Sequence, residues 1–152
     1  MNNLPPLPST VFESTDPYIT TFQDLRNLRV VLYFYPKDNT PGCTLESRDF
    51  AALKPQFDEH RTVIVGVSRD SCQSHQRFKE KQGLPFILIS DKKDELGNYF
   101  EVIKKKSLFA KTFLGIERAT FLFDEQGHCK QAWRNVIVKE HAQEVLDAVK
   151  AL

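Results

Sequence analysis

At 152 residues the chain can build one substantial hydrophobic core but hardly two, so it reads as a single domain, residues 1–152. Its 41% hydrophobic and 27% charged residues describe a globular composition, and 21 basic against 20 acidic side chains give no electrostatic footprint for nucleic acid. The opening MNNLPPLPST has no basic run followed by a long apolar segment, so neither a secretory leader nor a membrane span is expected, and a cytoplasmic location follows by default.

The proline-rich opening is expected to be an extended lead-in, followed by short strands near residues 11–13 and 18–21 with a turn at Asp16-Pro17 between them. RVVLYFY, residues 29–35, is almost continuously apolar and β-favouring, the pattern of a central strand covered on both faces. Pro36 ends it. A helix should begin near Thr40, because threonine can cap a free backbone donor and Pro41 fits the first helical position without losing an internal hydrogen bond. Cys43 then enters the first turn, and Phe50, Leu53 and Phe57 follow as a packing stripe.

TVIVGVS, residues 62–68, reads as a second buried strand. Ser71 is expected to cap a helix running to about Gln82, with Gly83 and Pro85 marking its end before the short strand FILIS, residues 86–90. Residues 92–100 carry a further helical pattern. EVIKKKSLFAKTFLGIER, residues 101–118, does not divide cleanly; its three consecutive lysines read as a solvated surface, with an acidic partner as the alternative. ATFLFDEQGHCKQAW, residues 119–133, resembles two strands about a glycine-containing turn. A last helix within residues 138–152 should bury Val138, His141, Ala142, Val145 and Val149. The sum is an α/β chain with a mixed sheet flanked by helices.

Three cysteines cannot all pair within one molecule and show no Cys-x-x-Cys spacing, and the four histidines are scattered, so neither a disulfide scaffold nor a metal site is expected. An ordinary cysteine has a pKa of about 8.5, and the free N–H groups and aligned dipoles of a helix start favour its anion. Lowering that value by one unit takes about 1.4 kcal/mol, within reach of a helix terminus plus a cation. Two readings of Cys43 therefore stand side by side: a reactive thiol, or a small residue filling space.

FYPKDNTPGCTLE, residues 34–46, resembles the active-site segment of peroxiredoxins of the bacterioferritin comigratory protein type, with Pro36, Thr40 and Cys43 matching the pattern Pro-x-x-x-Thr-x-x-Cys. The resemblance continues through GVSRDS, LPFILISD and KTFLGIERATFLFD, covering most of the chain. It implies a thioredoxin-like three-layer fold and a thiol-dependent peroxidase in which an accessible Cys43 attacks hydrogen peroxide or an organic hydroperoxide. Thr40 would position substrate and thiolate, Arg118 would stabilise negative charge, Pro36 would shape and shield the pocket, and Glu46 would orient the arginine or carry a surface salt bridge. The first products would be a Cys43 sulfenic acid and water or an alcohol, with no metal or cofactor.

The chain departs from that family at the second thiol. Arg48 stands where many members carry a cysteine five residues beyond the reactive one. Cys72, at the start of the next helix, is a possible resolving cysteine only if folding or local unwinding brings it within disulfide reach of Cys43; Cys129 reads as structural. Without an internal partner, thioredoxin, glutaredoxin or a low-molecular-weight thiol must reset Cys43. The missing thiol also motivates a different reading, a redox-responsive interaction protein. Phe34, Tyr35 and Phe121 read as core or pocket wall, and His75 and His141 suit helix packing as well as proton transfer. The resemblance favours a monomer and permits a dimer.

Overall fold

The computed structural model describes residues 4–152. A six-stranded mixed sheet forms its centre: β1 (Glu13–Ser14), β2 (Arg29–Phe34), β3 (Thr62–Ser68), β4 (Ile87–Ser90), β7 (Ala119–Phe123) and β8 (Cys129–Trp133) lie in the order β1-β4-β3-β2-β7-β8. Strands β2, β3 and β4 are parallel, while β1, β7 and β8 each run antiparallel to their neighbour. Between β4 and β7 the chain forms a separate hairpin of β5 (Ile103–Leu108) and β6 (Lys111–Ile116).

The continuous apolar run of β2 is explained by burial on both faces, since successive side chains point to opposite sides of a sheet. Val31, Tyr33 and Tyr35 pack beneath α1 (Pro41–Glu59), α2 (Cys72–Gln82) and α4 (His141–Lys150), against Phe50, Phe57, Phe78, Val145 and Val149. Val30, Leu32 and Phe34 face the other way, toward Phe12, Phe22, Leu96 and Phe100 from the N-terminal segment and α3 (Glu95–Tyr99). The result is the expected α/β thioredoxin-like arrangement of three layers. Phe34 and Phe121, meeting edge to face at 5.9 Å, belong to the core on the α3 side.

Gly66 makes one close approach possible in β3: a Cβ there would lie 2.8 Å from the Leu88 side chain and 2.9 Å from the Tyr33 ring. Tyr33 can therefore lie across the strand and meet Ser47 of α1, hydroxyl to hydroxyl, at 2.8 Å.

Several expectations are corrected. Only Glu13–Ser14 pairs near the first expected strand, and residues 18–21 form none. Asp24 instead accepts from the N–H groups of Thr20 and Thr21, which starts a short 3-10 turn at Phe22–Leu25. The first three residues of the expected extended lead-in lie outside the described residues; those that follow are without helix or strand up to Glu13 and are docked, with Leu7 N–H donating to Gly127 O and the Tyr99 hydroxyl to Pro6 O. Val138 precedes α4, which begins at His141. Ser71 caps α2 as anticipated, accepting from Ser74 N–H at 3.1 Å, and Gly83 ends it in the left-handed conformation.

Candidate active site

Cys43 occupies the third position of α1, directly after the central strand β2 and a short loop. Thr40 holds the N-cap position, but its side chain does not cap; its hydroxyl donates backward to the Lys37 carbonyl at 3.0 Å. This corrects the expected capping bond and has a chemical result. The first turn of a helix leaves N–H groups without internal partners, and the first bond into α1 is Thr44 N–H to Thr40 O. Among the described residues nothing accepts from the N–H of Gly42 or Cys43, so both donors remain free at the cysteine.

Antiparallel pairing of β7 with β2 sets Ala119 opposite Phe34, which carries the preceding Arg118 to the end of β2 where α1 starts. Its guanidinium spans two groups: Nη2 donates to Cys43 Sγ at 3.4 Å and Nη1 to Glu46 Oε1 at 2.7 Å. Gly42 permits this approach, because a Cβ there would stand 3.3 Å from Nη2. The arginine backbone is fixed in turn by Val136 N–H donating to its carbonyl.

Glu46 is 1% exposed, its Oε2 has no hydrogen-bond partner among the described residues, and burial pushes its pKa up to about 7 despite the adjacent Arg118 charge. A carboxylate with one oxygen paired and the other stranded in apolar surroundings is poorly compensated, which is the physical cause of that rise. Of the two roles open to Glu46 in the sequence, the exposed surface pair is therefore corrected to a buried contact.

The structure thus brings Cys43, Arg118 and Glu46 together, with Thr40 less than a turn before the sulfur. Pro36 lies at the end of β2 and is exposed. Cys43 itself is only 1% exposed, packed among Tyr33, Tyr35 and Phe50. The expected accessible sulfur is almost wholly covered in the fold.

The second thiols stand elsewhere. Cys72 begins α2 near the β1 edge of the sheet, where burial and contact with Glu13 raise its pKa. Cys72 stands beside Glu13 of β1 whereas Cys43 faces Arg118 on the other side of β2, so the two thiols have different partners. Burial raises Cys129 further, to about 11, and its thiol faces Gln131 O at 3.5 Å.

A buried polar cluster escaped the sequence reading. Asp38, in the loop that leads to Thr40, accepts from Tyr35 Oη at 2.6 Å and Ser74 Oγ at 2.8 Å, and faces His75 Nδ1 at 2.7 Å. Burial opposes the Asp38 charge, but the contacts with His75, Tyr35 and Ser74 outweigh it and hold the carboxyl below its ordinary value. His75 Nε2 meets Ile89 O at 2.9 Å and must be the donor, because a carbonyl only accepts. Asp70 accepts from Asp38 N–H at 2.7 Å. Ligand atoms of Asp38, Asp70 and His75 lie within 4.8 Å of one another, a grouping with metal-ligand chemistry, yet both Asp38 oxygens and both His75 nitrogens already have protein partners. The cluster ties α2 to the loop before Cys43. His141, likewise buried, meets Thr120 Oγ1 at 2.8 Å.

Comparison with known proteins shows what the chain as a whole is similar to. Residues 6–132 match the AhpC/TSA family model. The chain is 54% identical over 122 residues to Peroxiredoxin Bcp of Xanthomonas campestris, covering 80% of this chain and 76% of that protein. Peroxiredoxin Bcp of Bacillus subtilis is 48% identical over 127 residues, with 84% and 81% covered. A structure of the X. campestris bacterioferritin comigratory protein, solved in work on its alkyl peroxide reduction activity, superposes with a TM-score of 0.88 at 47% identity, covering 95% of each chain.

Proposed function

The chain belongs to the AhpC/TSA family and within it to the Bcp/PrxQ peroxiredoxins, thiol peroxidases that reduce peroxides through a catalytic cysteine, and we propose that Cys43 is that cysteine. The observation that carries the assignment is the Arg118 guanidinium, which reaches Cys43 Sγ and Glu46 at once. The whole described chain serves as one peroxidase domain.

The sulfur attacks one peroxide oxygen, the O–O bond breaks, and the departing oxygen leaves as water or an alcohol after taking a proton. Charge moves from sulfur onto oxygen during this step, and the free N–H groups of Gly42 and Cys43 together with Arg118 are donors fixed where it moves. The Thr40 hydroxyl spends its hydrogen on Lys37 O, so toward the site it accepts, which suits it to take a hydrogen bond from a peroxide O–H. Glu46 orients the arginine, and Pro36 shapes the rim. Organic hydroperoxides fit alongside hydrogen peroxide, in keeping with the alkyl peroxide reduction of the X. campestris protein.

An external thiol completes the cycle. Within this chain the candidate internal partner is Cys72, which sits beside Glu13 with a raised pKa and is poorly suited to resolve Cys43. Thioredoxin, glutaredoxin and low-molecular-weight thiols are the donor classes.

Peptide mapping after one equivalent of peroxide, on wild type, C43S and C72S, tests both assignments. Oxidation should appear on Cys43 as sulfenic acid or a donor-mixed disulfide, C43S should lose peroxide consumption, and C72S should keep donor-driven turnover. Rapid peroxide consumption by C43S refutes the first assignment, and a Cys43–Cys72 disulfide in wild type refutes the second.

A further inference from the structure

Among the described residues the hairpin of β5 and β6 pairs with no other strand, and between Ile103 and Ile116 it carries Lys104, Lys105, Lys106 and Lys111 with no acidic residue. Its end is apolar: Leu108 is 58% and Phe109 90% exposed, with Leu114 at 59% farther back. Phe109 and Ala110 make the turn with φ of 52° and 63°, a left-handed pair that asparagine and glycine adopt easily and a phenylalanine does not. A large ring is thus presented to water on a backbone that disfavours it.

The base of the hairpin is anchored, with Arg69 donating to Leu114 O at 2.7 Å while Asp94 holds Arg69 at 2.6 Å. Lys104 lies 3.7 Å from Glu117, and Lys106 donates to Ile116 O, which leaves Lys105 and Lys111 without a carboxylate partner among the described residues. At about 3.3 Å per strand residue, Lys111 and Lys105 stand roughly 7 and 13 Å behind Phe109 as a cationic band.

We propose that this hairpin docks the protein on an anionic lipid surface, with Leu108 and Phe109 entering the acyl boundary and Lys105 and Lys111 meeting the phosphate headgroups. The order of layers favours a bilayer over an acidic protein: interfacial elements bury apolar groups about 5–10 Å deep beneath a charged headgroup region, and the hairpin presents apolar and basic groups in that order. A protein face recognised by charge has no need of an exposed phenylalanine ahead of the cations. Docking of this kind is independent of the peroxidase chemistry.

Co-sedimentation of the full chain with phosphatidylcholine vesicles, with and without phosphatidylglycerol, tests it. Partition should favour the anionic vesicles by roughly 30-fold at low salt, from about fivefold for each of the two engaged lysines, and should weaken as salt is raised. The double variant K105E/K111E should lose the preference, F109S should bind both vesicle types less, and F109W should shift its emission to the blue only with anionic vesicles. Each variant should retain the hydrogen peroxide reaction of wild type in solution, which certifies its fold. Absent or charge-independent partition, or an undiminished preference in K105E/K111E, overturns the proposal. So does binding to an acidic protein that these variants abolish without any binding to vesicles, which would assign the surface to a protein partner.

Discussion

Replacing Glu46 by glutamine tests whether that side chain is held in the fold as a near-neutral acid. In the unfolded chain it titrates near its ordinary 4.5, and in the fold near 7. Below about pH 4.5 the carboxyl is protonated in both states and adds no pH dependence. Between the two values the unfolded chain releases the proton while the fold retains it, so stability falls as pH rises, by about 1.4 kcal/mol per unit. Above pH 7 both states are ionised and the deficit levels off at roughly 3 kcal/mol. Glutamine keeps an oxygen for Arg118 but cannot ionise, so it removes this slope. Urea denaturation of both proteins at pH 4.5, 6, 7 and 8, values spanning the roughly two-and-a-half-unit gap, should show the stability difference swinging toward E46Q by roughly 2–3 kcal/mol. A flat difference, or one moving toward wild type as pH rises, refutes the reasoning, since it would mean that Arg118 keeps the buried carboxylate ionised throughout.

R118K should slow the second-order reaction with peroxide by about 100-fold, because an ammonium lacks the fork that spans Cys43 and Glu46; a wild-type rate measured by stopped flow removes the argument for that geometry. T40V should slow the same step by at least about tenfold while changing the urea midpoint little, since the lost bond to Lys37 O is partly exposed; an unchanged rate denies the hydroxyl its part. D38N should cost about 3 kcal/mol in unfolding free energy, the scale of breaking a buried charge contact, and slow the peroxide reaction as the loop before Thr40 loosens. Full stability in D38N would show that the cluster with His75 holds nothing.

Much of this was legible in the sequence because the signals were local. The runs at residues 29–35 and 62–68, the Ser71 cap and the Gly83 stop each sit within a few residues of what they determine. The meeting of Cys43, Arg118 and Glu46 was implied by family resemblance rather than by spacing, since β2 and β7 become neighbours only through long-range pairing. Asp38 and His75 gave no signal, as one lies in a loop and the other looked like helix packing; the pair exists because parallel strands set the start of α2 beside the loop after β2. The hairpin at residues 103–116 resisted division because Phe109-Ala110 has none of the usual turn chemistry. Thr40 was expected to cap because threonine often does, and sequence alone could not say which way its hydroxyl turns.

The pairing of β7 with β2 also sets an order in time. Arg118 follows Cys43 by 75 residues, so at roughly 5–20 residues per second a ribosome needs some 4 to 15 s to supply the guanidinium after the thiol. Under the role proposed for it, Arg118 reaches Cys43 only once the last quarter of the chain has been made.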